Sequence, residues 1–126
     1  MGSTSLVPQT AAELSKNSSW TKLQTLILEY NAIGDQGAAE LGKNSSWTNL
    51  RILNLDVNSI SDEGALKLSK NKAWTKLEKL DLKQKVGITE EAGKKLKQNP
   101  NWPNLKEVNL CQIDNTAKGG QHFFSS

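Results

Sequence analysis

The side chains with catalytic potential are few. The chain holds one cysteine, Cys111, and one histidine, His122. A thiol and an imidazole become nucleophile and base only when a third group orients the base. Neither residue has such a group positioned for it, and no serine–histidine–aspartate set can be drawn within the body of the chain. Ligands at zinc spacing are absent. Gly37, Gly64 and Gly93 recur singly rather than as a phosphate-cradling loop, and are read as marking helix starts. Glu29 and Asp56 fall side by side on one exposed surface rather than forming a buried acid/base pair. The chain is therefore read as a non-enzyme with no cofactor and no metal, and its chemistry as binding.

Composition narrows the kind of binding. The chain has 126 residues, enough for one domain. Its hydrophobic content is 36 % and its mean hydropathy −0.57, low for a globule. An array in which each unit buries one strip against its neighbours tolerates this. Net charge is +3, with 16 basic and 13 acidic residues interspersed, which calls for neither nucleic acid nor membrane. A single cysteine allows no intrachain disulfide. No apolar run reaches transmembrane length and no signal-peptide core is present. Leu6 stands where a myristoylation signal wants Ser or Thr. The expected location is the cytoplasm.

The elements that must position any binding surface are repeats. Tryptophans stand at Trp20, Trp47, Trp74 and Trp102, in steps of 27, 27 and 28 residues. A fixed period in this range means stacked supersecondary units. Each tryptophan opens the same run, cleanest as Leu23, Leu26, Leu28, Asn31, Ile33 and as Leu50, Leu53, Leu55, Asn58, Ile60. One aromatic per repeat at a fixed slot predicts a stacked ladder. Alternation turns Leu26 and Leu28 into the core and Thr25, Ile27 and Glu29 to the opposite face. Asn31 and Asn58 are expected to bond backbone groups of the adjacent turn as a second ladder. Ile33, Ile60 and Ile88 plug the core. Gly34, Ser61 and Thr89 take helix N-cap slots, with Asp35, Asp62 and Glu90 in the first turn complementing the helix dipole. Ala38, Ala65 and Gly93, with Leu41, Leu68 and Leu96 three positions on, form the buried helix stripe.

The run Leu-x-x-Leu-x-Leu-x-x-Asn-x-Ile, followed by Gly34–Leu41 and by Ser61–Leu68, resembles the leucine-rich repeat of the ribonuclease-inhibitor type. The resemblance covers roughly Thr10 to Leu110. It implies a short α/β solenoid of about four repeats, with parallel strands on a concave face and helices on a convex face. Similar short, lysine- and asparagine-rich repeats occur in bacterial host-interaction proteins and in intracellular eukaryotic regulators. An effector-like protein, delivered to a host cell without a classical signal peptide, is thus one identity the resemblance suggests. The scaffold itself hosts many functions.

Expected domains are a flexible lead-in over 1–9, the repeats over 10–113 and a tail over 114–126. Pro8 is expected to end any local helix before it starts, and Thr10 to cap a helix reaching about Lys16. Asn17, Asn44, Asn71 and Asn99 mark the helix-ending turn, where asparagine tolerates the left-handed conformation. Asn17 and Asn44 also fit the N-x-S glycosylation pattern, but the repeat turn explains them. The third repeat departs from the others: Leu82 to Ile88 is six residues where Leu28 to Ile33 is five. Lys85-Val86-Gly87 holds the extra residue and no asparagine is present, so the ladder is expected to break or bulge there. The insertion is either a tolerated loop or a feature aimed at a partner.

The varied positions lie on the concave face. One column runs Thr25, Ile52, Lys79, Glu107; the next Ile27, Asn54, Asp81, Asn109; the next Glu29, Asp56, Lys83, Cys111. Tyr30, Val57, Gln84 and Gln112 stand at the strand ends. The expected function is protein–protein interaction through this face, with Tyr30, Ile27 and Ile52 as the hot spot. Two alternatives remain. Convex lysines such as Lys16, Lys43, Lys67, Lys70, Lys94, Lys95 and Lys97 suit anionic partners, nucleic acid or lipid head groups, although no aromatic is interleaved as single strands require. The fourth repeat ends in an edge strand open to a second chain as a homodimer, unless Phe123 and Phe124 fold back over it.

Overall fold

A computed structural model describes residues 8–112 and 122–125, with side chains for residues 11–110. Helices and strands alternate: α1 (Pro8–Ser15), β1 (Thr25–Ile27), α2 (Gly34–Leu41), β2 (Ile52–Asn54), α3 (Asp62–Leu68), β3 (Lys79–Asp81), α4 (Glu90–Lys97), β4 (Glu107–Gln112) and β5 (His122–Ser125). The strands lie in that order in one sheet. The first four are parallel, as the repeat requires, because each helix returns the chain to the same end of the sheet. The chain is a short α/β repeat solenoid.

The core is the apolar strip each repeat gives to the next. Leu26, Leu28, Leu53, Leu55, Leu80, Leu82, Val108 and Leu110 are buried on the helix side of the sheet. Ile33, Ile60 and Ile88 close the turn above them. Gly37, Ala38 and Leu41, with their equivalents in α3 and α4, are the buried helix stripe. Trp47, Trp74 and Trp102 are fully buried and stack with ring centroids 6.2 Å apart at each step. Each stack adds about 0.5–1.5 kcal/mol beyond area burial. Trp20, in the same slot, stands at the end of the array and is 38 % exposed.

Three polar ladders run along the array. In the turn after the strand, the Asn58 side chain accepts from the Asn31 and Ile33 N–H groups at 2.9 and 3.3 Å and donates to the Leu28 carbonyl at 2.9 Å. The third repeat does not break this ladder. Gln84 Oε1 accepts from the Asn58 and Ile60 N–H groups at 2.7 and 3.1 Å, and its Nε2 donates to the Leu55 carbonyl at 2.8 Å. Gln84 stands one residue nearer its strand than Asn58 does, and its extra methylene restores the reach.

The helix-ending asparagines form the second ladder. None of them is left-handed among the described residues. Their side chains reach back one repeat: Asn44 donates to the Ser15 carbonyl at 2.9 Å, Asn71 to the Gly42 and Asn44 carbonyls at 2.8 Å, and Asn99 to the Ser69 carbonyl at 2.7 Å. Asn44 and Asn71 each accept the N–H of the tryptophan three residues on. Asn44 is buried with its amide engaged, which supports the structural reading over a glycan acceptor.

The third ladder uses the acids of the first helical turn. Asp35 accepts both the Ser61 N–H at 2.7 Å and the Ser61 hydroxyl at 2.6 Å. Asp62 does the same to Thr89 at 2.9 and 2.7 Å. These acids therefore clamp the cap residue of the next repeat as well as matching the dipole. Ser61 and Thr89 are N-caps as expected, but Gly34 is the first residue of α2 and Ile33 precedes it as the cap. Gly37, Gly64 and Gly93 stand in the first turn of their helices, and at Gly64 a close approach adds to this: a Cβ there would lie 2.8 Å from the Asp35 Cα.

The first end differs from expectation. Helix α1 begins at Pro8, so Thr10 lies inside it and is not its cap. Proline suits the first turn of a helix, whose leading N–H groups have no intrahelical partner. At the far end β5 pairs antiparallel with β4, Leu110 opposite Phe124 and Cys111 opposite Phe123. Of the two alternatives for the edge of β4, the fold-back within the chain is the one seen. Of the expected lead-in over 1–9, residues 8 and 9 belong to α1, and residues 1–7 and most of the tail lie outside the described residues.

Candidate functional site

The sheet register brings the varied residues together in rows. Thr25, Ile52, Lys79 and Glu107 are paired across β1 to β4, and so are Ile27, Asn54, Asp81 and Asn109. The Leu residues between them point to the helices, so the whole of this face is set by two-residue alternation.

The face divides into two halves. Toward β4 it is polar and cross-linked. Asp81 Oδ1 accepts from Asn109 Nδ2 at 2.6 Å, which also donates to Glu107 Oε2 at 2.7 Å. Lys79 Nζ approaches Glu107 at 3.9 Å. Asn54 Oδ1 accepts the Asp56 N–H at 2.9 Å, and Asp56 in turn accepts the Lys83 N–H at 2.9 Å with Lys83 Nζ 3.6 Å away. Asp56 and Asp81 are buried by these neighbours, so Asp56 is not the exposed partner of Glu29 that alternation suggested. Burial pushes the Asp56 carboxyl up, opposed by Lys83 and reinforced by the nearby Asp81 charge.

Toward β1 the same face is apolar and open. Ile27 is 56 % exposed and Tyr30 69 % exposed, with Thr25 and Glu29 exposed beside them and Ile52 and Val57 half-buried. Tyr30 and Val57 are held at φ 60° and 54°, in the left-handed region. Each continues the ladder nonetheless: the Tyr30 N–H donates to the Asp56 carbonyl at 3.0 Å and the Val57 N–H to the Lys83 carbonyl at 2.7 Å. The turn thus lifts both side chains at the strand end. Gln84, grouped with them by sequence, is instead buried in the turn ladder. Its neighbour Val86 in the insertion is 85 % exposed, and with Val57, Ser59 and Ile60 it lines a hollow of about 250 Å³.

On the helix side, Lys16, Lys43 and Lys67 pair with Glu13, Glu40 and Glu63 of their own helices at 3.9, 3.2 and 3.0 Å. Such exposed pairs contribute little stability, but they blunt the basic field of that face. Outside both faces, Arg51 and Glu78 make a two-pronged pair at 3.0 and 3.2 Å, which holds the Glu78 carboxyl below its ordinary range. No group of side chains among the described residues is arranged to hold a metal ion. None of their helices is long and apolar enough to cross a membrane.

The family model of the leucine-rich repeat matches residues 21–42 and 48–69, the first two full repeats. No curated protein matches the chain.

Proposed function

We propose that this leucine-rich repeat protein is a non-enzymatic interaction module that holds a protein partner on its concave sheet face. Leucine-rich repeat domains generally mediate protein–protein interaction. The observation that carries the face is the exposure of Ile27 and Tyr30 beside Ile52, on parallel strands held in register by backbone hydrogen bonds. Nothing in the fold requires large apolar side chains at these solvent-facing positions, and rigid aromatics carry a large share of binding energy. The polar half toward β4 supplies the hydrogen-bonding rim, with Asn54, Lys79 and Lys83 at its surface and Asp56 and Asp81 buried beneath as their support. Thr25, Glu29 and Val57 border the apolar patch.

The experiment is affinity capture followed by calorimetry on the isolated partner, with the wild-type chain, Tyr30→Ala and Ile27→Lys. Both side chains are exposed, so melting temperatures should be unchanged. Affinity should fall by about tenfold or more in each variant, as loss of a hot-spot contact does. Unchanged affinity in both would refute the concave face. Affinity that collapses with added salt while ignoring both substitutions would point instead to the convex lysines and an anionic partner.

A further inference from the structure

We infer that the rim of the solenoid on which the helices end and the strands begin docks on an anionic lipid bilayer surface, through lysines of the third and fourth repeats. This rim shares no residue with the proposed concave-face site and stands or falls without it.

The net charge of +3 hides a separation of charge across the fold. The last turn of each helix and the turn into the next strand, residues 12–24, 39–51, 66–78 and 94–106, hold twelve basic and three acidic residues. The opposite rim, residues 30–38, 57–65 and 84–93, holds one basic and five acidic. All three acids of the basic rim are taken by its own cations, Glu13 by Lys16, Glu40 by Lys43 and Glu78 by Arg51. Lys70, Lys72, Lys94, Lys95 and Lys97 pair with no acid among the described residues, and all but the half-buried Lys97 are exposed. The sign changes along a single helix slot, from Glu13 and Glu40 in α1 and α2 to Lys67 and Lys95 in α3 and α4. Lysines in a last helical turn complement the helix dipole. Lys72, Lys76 and Lys106 stand outside the helices, so the dipole does not account for them.

The shape of the rim selects the partner. Parallel register sets the four turns at one level. Side chains tie them there: Asn49 donates to the Thr21 carbonyl, Asn104 to the Thr75 carbonyl and Lys76 Nζ to Asn49 Oδ1, each at 2.8 Å. A level row of cations meets a plane of negative charge along its whole length. A nucleic-acid duplex is a cylinder whose phosphates curve away from such a row. Single strands want stacking aromatics, and in the third and fourth repeats Trp74 and Trp102 are buried. The one arginine, Arg51, is held by Glu78, so the free cations are lysines, point charges that suit mobile head groups. Glu90 and Glu91 stand at the far end of α4, about 10 Å of helix away. That exceeds the Debye length of about 8 Å at physiological salt, so a plane beneath the lysines feels those acids little.

The test is cosedimentation of the whole chain with vesicles of phosphatidylcholine and phosphatidylserine in a two-to-one ratio. The chain should bind these vesicles and not vesicles of phosphatidylcholine alone. It should be released toward 1 M salt, where the Debye length falls to about 3 Å. Each lysine near an anionic surface contributes about fivefold to partitioning, so Lys72→Gln, Lys94→Gln and Lys95→Gln combined should lose about a hundredfold. Glutamine keeps the helix propensity, and unchanged melting temperatures verify the fold. Lys85→Gln removes the same charge as Lys72→Gln from the opposite rim and should leave binding unchanged. Absence of binding to the phosphatidylserine vesicles overturns the inference, and so does undiminished binding of the triple variant. A loss with Lys85→Gln equal to that with Lys72→Gln overturns it too, because the attraction is then one of net charge. Tighter binding to a mixed-sequence DNA duplex than to the vesicles also overturns it, because the rim then serves nucleic acid. Tyr30→Ala should bind vesicles as the wild type does, so failure here leaves the concave-face proposal standing.

Discussion

The side-chain amide of Gln84 holds the backbone of Asn58 as the amide of Asn58 holds that of Asn31. Gln84 Oε1 lies 2.7 Å from the Asn58 nitrogen, and Asn58 Oδ1 lies 2.9 Å from the Asn31 nitrogen. The two residues differ by a methylene and by one position in the repeat, and the two differences cancel. The inserted residue of the third turn is therefore accommodated beyond the ladder, around Gly87 at φ 90°, and the core continues unbroken to Ile88.

Gln84→Ala should leave the Asn58 N–H, the Ile60 N–H and the Leu55 carbonyl without this partner. The expected cost is about 1–3 kcal/mol, the desolvation penalty of buried polar groups left unpaired. Gln84→Asn should recover little of it, because the shorter chain does not reach from this position. Urea denaturation checks both: the midpoint should fall with the slope unchanged. An asparagine variant as stable as wild type would mean that the turn readjusts freely.

Period and alternation carried most of the fold. The tryptophan spacing, the Leu-x-Leu alternation and the small residues of the helices dictate the strands, the stack and the buried stripe, because each is a one-dimensional pattern. The ladders were only half visible. Asn31 and Asn58 share a slot, but Gln84 does not, and a compensating methylene leaves no periodic mark. The cross-repeat reach of Asn44, Asn71 and Asp35 was hidden because local rules for caps and turns already accounted for those residue types. Of the candidate face, alternation placed the two columns that the strand register pairs. It did not separate Asp56 and Asp81, buried by neighbours on adjacent strands, from the exposed Ile27 and Tyr30.

The tryptophan stack should not be uniform in its contribution. Trp74 is sandwiched between two neighbours and fully buried, so Trp74→Ala should cost about 3–5 kcal/mol. Trp20 sits at the open end, and Trp20→Ala should cost well under half of that. Thermal melts of the two variants compare them directly, and equal losses would contradict the position of Trp20 in the structure.

Asp56 should make stability depend on pH in a way a single variant can isolate. Burial raises its folded pKa above the unfolded value. Its contribution is then present below the unfolded pKa and lost as pH rises through the raised folded one. Asp56→Asn keeps an acceptor for the Lys83 N–H and removes the buried charge. The variant should be at least as stable as wild type near neutrality, with the advantage closing on acidification through the raised pKa. Urea midpoints measured near neutrality and near the ordinary carboxylate pKa, about 3.9, test this. A variant less stable at neutral pH would show that the Lys83 ion pair outweighs the burial.

Gly64→Ala sets helix propensity against close approach. Alanine gains up to about 1 kcal/mol in a helix interior. The new Cβ would lie 2.3 Å from Asp35 Oδ1 and 2.8 Å from its Cα, so the backbone of the neighbouring repeat must move and the Asp35–Ser61 clamp must loosen. Overpacking of this kind costs about 1–3 kcal/mol, and the net expectation is destabilisation. A rise in melting temperature would mean that the repeats can separate without loss.

Val57 ties stability to recognition. A β-branched residue in the left-handed region is strained, because its Cβ crowds the following carbonyl. Asparagine tolerates that region, so Val57→Asn should stabilise the chain by about 1 kcal/mol, the lower end of the strain such a conformation stores. The valine side chain is half-buried beside the hollow formed with Ser59, Ile60 and Val86. If it serves as a partner contact on the proposed face, the same substitution should weaken partner binding while raising the melting temperature. A loss on both measurements would show that Val57 packs well enough in the hollow to outweigh its backbone strain. A gain in stability with binding unchanged would remove Val57 from the interface and leave Ile27 and Tyr30 as its anchors.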